Sequence, residues 1–345
     1  MKKSMIFVLS MILVLAAFVS VSAQEGVLMV LCTPQEEWCQ GMEEEFEAVY
    51  PEIDVQWNRL SSGEALARVQ AEKGNPSFDV WWGGPMDAFI AAKAEGGLLY
   101  QYESPSLANV KEEYNFLVDP DRYYAPIYQG SIGFMTNSNW LAENPGVEAP
   151  TSYQDLLKPE FKGQIMISHP STAGTGYTFM SSVLQVMGEE AGWEYMRALN
   201  DQVYQYTKSG SAAGLNTTEG QTAVSVVFSH DAVKFIDDKG APCVISFPEE
   251  GTGFEVAGVA ILENAKNLEN AKLWYDWSLT AEAQSLGPVY ASYQAPTVNG
   301  VELSHPELLE CNLIDYDFQW SGDHKQEFQD KFSNEIQNSE AAIVY

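Results

Sequence analysis

"GQIMISHPSTAGTGYTFMSSVLQVMG", Gly163 to Gly188, decides the fold. The apolar run "GQIMIS" reads as a strand and Thr175 to Met187 as a helix. Between them the chain places hydroxyls and glycines where a strand hands over to a helix. The same grammar recurs upstream. "GVLMVL" is a short apolar strand, and Glu36 to Tyr50 carries Trp38, Met42, Phe46 and Val49 at helical spacing. "PEIDVQW" alternates like a strand, "SSGEALARVQAEKG" opens with the capping-box pair Ser61 and Glu64, and "FDVWW" precedes the helix "GGPMDAFIAAKAEGG". Downstream come strands at "QVYQY" and "AVSVVFS" with a turn region at "TTEG" between them. "CVISFPEEGTGFEVAGVAIL" then reads as two strands about a glycine-rich turn, and "NLENAKLWYDWSL" as a helix.

Repeated strand–helix alternation implies α/β lobes, each with a mainly parallel sheet flanked by helices and ligands gathering beyond the carboxyl ends of the strands. Two such units without a Pro- or Ser-rich linker imply lobes joined by crossing strands, with a hinge near "APIYQGSIGF" and "VAGVAIL". The expected division is residues 1–23 as a signal peptide, 24–127 plus 258–308 as one lobe, and 128–257 plus 309–345 as the other.

The signal reading rests on "MKK", the apolar run Met5 to Val21, and "VSA" at Val21 to Ala23, with cleavage leaving Gln24 first; a retained anchor is the alternative. An exported, periplasmic protein is expected. Loss of Lys2 and Lys3 would take the formal charge from −30 to −32, which argues against nucleic acid as a partner. An apolar fraction of 46% supports buried cores rather than disorder. Of the four cysteines, Cys32 and Cys39 are the expected disulfide, closing "CTPQEEWC"; their spacing fits no usual zinc pattern.

Four stretches are candidates for ligand contact. Ser171, Thr172, Ala173, Gly174 and Thr175 form a turn whose helix start favours an anion, though Ser171 or Thr172 also suits a simple cap. Ser62, in "SSG", is a second such start, with an ordinary capping box as its alternative. In "WWGGP", Gly83 and Gly84 allow close backbone approach and Trp82 could stack on a sugar face, while at least one of Trp81 and Trp82 is expected in the core. Thr33 is a further possible cleft residue. His230, Asp231 and Glu255 suit paired hydroxyls, against the alternative of a surface His–Asp pair. Catalysis is not expected: no Gly-x-Ser-x-Gly, Walker loop or dinucleotide fingerprint occurs.

"GVLMVLCTP", "FDVWWGGP", "HPSTAGTGYT" and "NAKNLENAKLWYDWSLTAEAQ" together resemble the periplasmic solute-binding proteins of ABC importers, in the type II group that includes the ferric-binding proteins. The resemblance spans the mature chain. It implies two lobes that close on a solute and deliver it to a permease and its ATPase, with no cofactor, no metal and a monomeric state. Ferric binders carry adjacent tyrosines after the strand matching "AVSVVFS", where this chain has "SHDA"; Tyr123 and Tyr124 fall elsewhere. The His–Asp pair and the later glutamate look like the hexose-phosphate-binding branch. That implies Ser62 and Ser171 to Thr175 on phosphate, and His230, Asp231 and Glu255 on sugar hydroxyls, as for glucose 6-phosphate. 2-Aminoethylphosphonate and ferric iron are the alternatives. A His230 that must be neutral would weaken binding below about pH 6.

Overall fold

The computed structural model describes residues 26–337 and 343–344. The expected signal segment and its cleavage site lie outside the described residues. Strands β1 (Gly26–Cys32), β2 (Ile53–Arg59), β3 (Val80–Pro85) and β4 (Leu99–Tyr100) alternate with helices α1 (Glu36–Val49), α2 (Ser62–Ala71) and α3 (Met86–Glu95). The long β5 (Ala125–Asn137) and α4 (Ser138–Glu143) lead to β6 (Ile165–Ser168), α5 (Gly174–Met187), α6 (Glu189–Asn200) and β7 (Val203–Thr207). There follow α7 (Gly210–Thr218), β8 (Val224–Phe228), α8 (Ser229–Val233), β9 (Cys243–Ser246) and β10 (Phe254–Leu262). The chain closes with α9 (Leu268–Ser278), α10 (Ala281–Gln284), β11 (Ala295–Pro296), α11 (Phe318–Asp323), α12 (Lys325–Glu335) and β12 (Ile343–Val344).

The strands run in the order β12-β7-β6-β8-β5-β10-β3-β1-β2, with β4 on β10 and β9 and β11 on β5. β1 pairs in parallel with β2 and β3, and β6 with β7 and β8. The strands between these halves, β5 and β10, are antiparallel to their neighbours. β5 is buried at every position because it serves both halves: Ala125 to Ser131 faces β10, and Ile132 to Thr136 faces β8. The hydrophobic cores divide on the same strand, Tyr128 packing in one and Ile132 in the other. This is the α/β architecture expected, a central sheet flanked by helices with crossing strands between two lobes.

Two details depart from the residue-by-residue expectation. "GSAAGLNTT" is a full helix, α7, in a stretch where the sequence reading named only the turn region at "TTEG"; its small residues give too weak an apolar stripe to be seen by periodicity. Tyr316 and Phe318 pack in the first core although the sequence division grouped them with the second lobe. The α11–α12 segment thus touches both lobes. Lys325 of α12 meets Asp87 of α3 at 2.7 Å, with the two side chains 2% and 1% exposed, and lies 3.5 Å from the Tyr177 ring centre. A buried pair so placed has its charges satisfied only by each other and the ring.

Candidate functional site

The carboxyl ends of β2, β3, β6, β7 and β8 point at one cleft, as the topology of such sheets requires. It holds about 470 Å³ of unfilled space, its mouth included. At one end three helices begin. Ser62 stands at the start of α2, Ala173 to Thr175 at that of α5, and Ser209 to Ser211 at that of α7. The starts are packed tightly. A Cβ on Gly174 would come within 2.7 Å of the Pro85 ring and 3.0 Å of Ser62 Oγ, and one on Gly210 within 2.0 Å of Thr175 Oγ1. Neither α5 nor α7 has a side-chain cap, so their leading N–H groups have no intrahelical partner and their dipoles favour negative charge here. Thr33 Oγ1, buried on the same cleft, has no hydrogen-bond partner among the described residues.

The other end is acidic and buried. His230, Asp231 and Glu255 are each no more than 5% exposed. Glu255 lies opposite Gly130 in the β5–β10 register, and a side chain at Gly130 would strike His230 Nδ1 at 2.3 Å, so this glycine makes the space that the imidazole fills. Burial raises the Glu255 carboxyl well above its usual range, and the charge of Asp231 adds to this. Burial likewise lowers His230 below the usual imidazole range, with Asp231 opposing. At 3.9 Å, His230 Nε2 and Glu255 Oε1 are beyond hydrogen-bond distance, and burial favours the uncharged form of each. Gln35 Nε2 donates to Asp231 Oδ1 at 2.6 Å, while Gln35 Oε1 accepts from Ser292 Oγ at 2.9 Å. Tyr128 Oη accepts from the Gly84 N–H at 3.2 Å and keeps its own proton for another acceptor.

Contacts across the cleft hold it closed. Gly63 N–H donates to the Thr172 carbonyl at 3.0 Å, Lys208 pairs with Glu64 at 2.6 Å, and Lys234 with Glu37 at 3.0 Å. The Gln35–Asp231 bond is a fourth such link. A disulfide joins Cys32 and Cys39, with Cα atoms 6.1 Å apart, and so closes the loop that carries Thr33, Pro34 and Gln35 to the cleft. Cys243 and Cys311 are free thiols.

Of the residues singled out in the sequence, the cleft brings together Thr33, Ser62, Gly84, Ala173, Gly174, Thr175, His230, Asp231 and Glu255. Four are elsewhere. Ser171 Oγ bonds to Ser333 Oγ at 2.9 Å, and Thr172 Oγ1 donates to the His169 carbonyl at 3.2 Å, so both hydroxyls turn away to fasten the loop. Trp82 lies in the first core, edge-on to Trp38 with ring centres 5.0 Å apart, because this sheet is covered on both faces and neither tryptophan of "WW" meets solvent. Gly83, at φ +89°, makes room for the Pro34 ring.

The sequence reading missed Gln35, Arg59, Tyr128, Ser209, Ser211 and Gln294 on the cleft wall. For Ser209 the signal was a serine ahead of "GSAAGL", a cap before helix formers. Arg59 ends β2; its Nε donates to the Pro34 carbonyl at 3.1 Å, and it makes no ion pair among the described residues. Tyr123 and Tyr124 do not line the cleft; Tyr124 borders a separate hollow beside α11.

Residues 86–324 match the family model of bacterial extracellular solute-binding proteins. An uncharacterised protein of Haemophilus influenzae is 35% identical over 319 residues, covering 90% of this chain and 91% of its own. A putative 2-aminoethylphosphonate-binding periplasmic protein of Salmonella typhimurium is 25% identical over 240 residues, 68% of this chain and 66% of its own. Among solved structures, the periplasmic binding protein AfuA of Actinobacillus pleuropneumoniae, with fructose 6-phosphate bound, superposes with a TM-score of 0.85 at 33% identity. The match covers 92% of this chain and all of that one. The apo ferric ion-binding protein A of Pasteurella haemolytica shares the fold, with a TM-score of 0.73 at 18% identity over 89% of this chain and 96% of that one. The chain therefore belongs to the bacterial extracellular solute-binding proteins of ABC importers, and it shares its fold with the ferric-binding proteins.

Proposed function

We propose that this protein captures a hexose phosphate such as glucose 6-phosphate between its lobes and delivers it to an ABC permease and its ATPase. One observation carries the reading: three helix starts converge at one end of a cleft whose other end presents buried His230, Asp231 and Glu255. A phosphate suits the first end, where free N–H groups and the Ser62 and Thr175 hydroxyls donate. It would be repelled at the second by Asp231, where the two carboxyl groups exchange hydrogen bonds with sugar hydroxyls. Both ends draw on both lobes. Ser62 and Tyr128 come from the first, and Thr175, His230 and Asp231 from the second, so the ligand stabilises the closed form by touching each. The protein acts without chemistry of its own, as a periplasmic monomer beginning at Gln24.

A calorimetric titration with glucose 6-phosphate, with glucose and inorganic phosphate as controls, tests this. The expected result is tight binding of the ester, micromolar affinity corresponding to about 8 kcal/mol, and weak binding of either half. Silence toward the ester overturns the reading. Because burial holds His230 neutral below its usual range, affinity should persist somewhat below pH 6 before it falls.

The relative named for 2-aminoethylphosphonate supplies the second reading. The two buried carboxyl groups, Asp231 and Glu255, would also accept from an ammonium. Binding of 2-aminoethylphosphonate in preference to glucose 6-phosphate would favour it.

A further inference from the structure

The cleft does not end at its acidic wall. A second chamber of about 770 Å³, reckoned with its open mouth, adjoins the first and shares Gln35, Arg59, Ser209, Ser211 and Asp231 with it. Its charge differs from the rest of the molecule. The chain has only 18 lysines and arginines against 48 acidic residues, yet Arg59, Lys234 and Lys239 all line this one hollow. Two of the three have no carboxylate within ion-pair distance among the described residues. Arg59 is anchored through Nε alone, and Lys239 rests over the Phe235 ring at 5.3 Å from its centre. Lys234 is held by Glu37. Three acids face these three cations: Asp231 accepts from Gln35, Glu37 is committed to Lys234, and Glu36 stands in the first turn of α1.

We propose that this outer chamber is a subsite for a second anionic group, so that the protein accepts sugar bisphosphates and binds them more tightly than monoesters. The proposal rests on the sugar-phosphate reading of the inner cleft and extends it. The inner chamber takes one phosphate at the three helix starts and the hydroxyls at His230, Asp231 and Glu255. Asp231 lines both chambers, and in the outer one Arg59, Lys234 and Lys239 offset it for a second phosphate. Arg59 stands on the shared wall, and among the described residues its two terminal nitrogens make no ion pair, which leaves them to form a forked pair with phosphate oxygens.

The test is a calorimetric comparison of glucose 6-phosphate with fructose 1,6-bisphosphate and glucose 1,6-bisphosphate at one ionic strength, on the full protein and on Arg59→Gln and Lys239→Gln. At least one bisphosphate should bind about tenfold tighter than the monoester. That ratio should fall toward one in Arg59→Gln and shrink in Lys239→Gln. The second substitution lies at the chamber's rim and guards against a folding defect in the first. Monoester binding with neither bisphosphate tighter overturns the subsite and leaves the sugar-phosphate reading standing. An advantage that survives both substitutions also overturns it. If no sugar phosphate binds, both proposals fall together.

Discussion

Helices α2 and α5 begin on facing sides of one cleft, after strands of the same kind, with serine, threonine and glycine in the turn, and yet they solve their first turn in opposite ways. α2 closes on itself. Ser61 and Glu64 form a full capping box, with Ser61 N–H donating to Glu64 Oε2 at 3.3 Å, and Gly63 N–H is spent on the Thr172 carbonyl. α5 is left open. Its N-cap is Ala173, which has no side chain able to accept, and the nearby hydroxyls of Ser171 and Thr172 are tied into the loop. A start that satisfies itself offers one hydroxyl, Ser62; a start that does not offers its leading N–H groups and its dipole. On the proposed function, α5 is therefore the principal anion holder and α2 the partner that closes on it.

Filling the open start should have the largest effect. Gly174→Val places methyls against Pro85 and Ser62, and phosphate-ester affinity should fall about a hundredfold, near 3 kcal/mol by calorimetry. A loss under about threefold would show that α5 does not hold the anion. Thr175→Val keeps the shape and removes one hydroxyl, for which about tenfold is expected. Ser62→Ala should cost less than Thr175→Val, because α2 contributes a side chain and little free backbone; the reverse order would invert the roles of the two helices.

At the far end, Glu255→Gln tests the acidic wall by stability as well as by binding. The folded-state carboxyl titrates above its unfolded value of 4.5, so the ionised form destabilises the fold at high pH and the penalty vanishes below that value. The variant should melt about 3 °C higher than the parent at pH 8, with the gap closing as pH falls toward 4.5. Its affinity for sugar phosphate should fall far more than that for inorganic phosphate. Equal losses would remove the sugar-binding role of Glu255.

Alternation of strand and helix made the lobes and the crossing strands legible, because burial imposes period on long elements such as α1 and on continuous apolar runs such as β5 and β10. His230, Asp231 and Glu255 were legible as polar residues at strand ends. Side-chain direction was not. Nothing in "HPSTAGTG" says that Ser171 reaches Ser333, 162 positions away, since that contact exists only once α12 packs against the loop. Arg59 and Tyr128 were hidden for a related reason: each ends or crosses a strand whose neighbours looked structural, and only the assembled sheet turns them toward the cleft.

The smallest expected effects sharpen the comparison most. Ser61→Ala removes the side chain that closes α2 and should cost about 1 kcal/mol of stability while leaving ligand affinity within about twofold. Ser171→Ala, beside α5, should leave affinity just as little changed, because the hydroxyl it removes faces α12. The pair is informative because both serines sit one to three residues before a helix that lines the cleft. If Ser171→Ala weakened binding tenfold without lowering the melting temperature, the hydroxyl would have to leave Ser333 and turn inward on the ligand. The start of α5 would then be capped by its solute through a side chain, and its open backbone would cease to be what distinguishes it from α2.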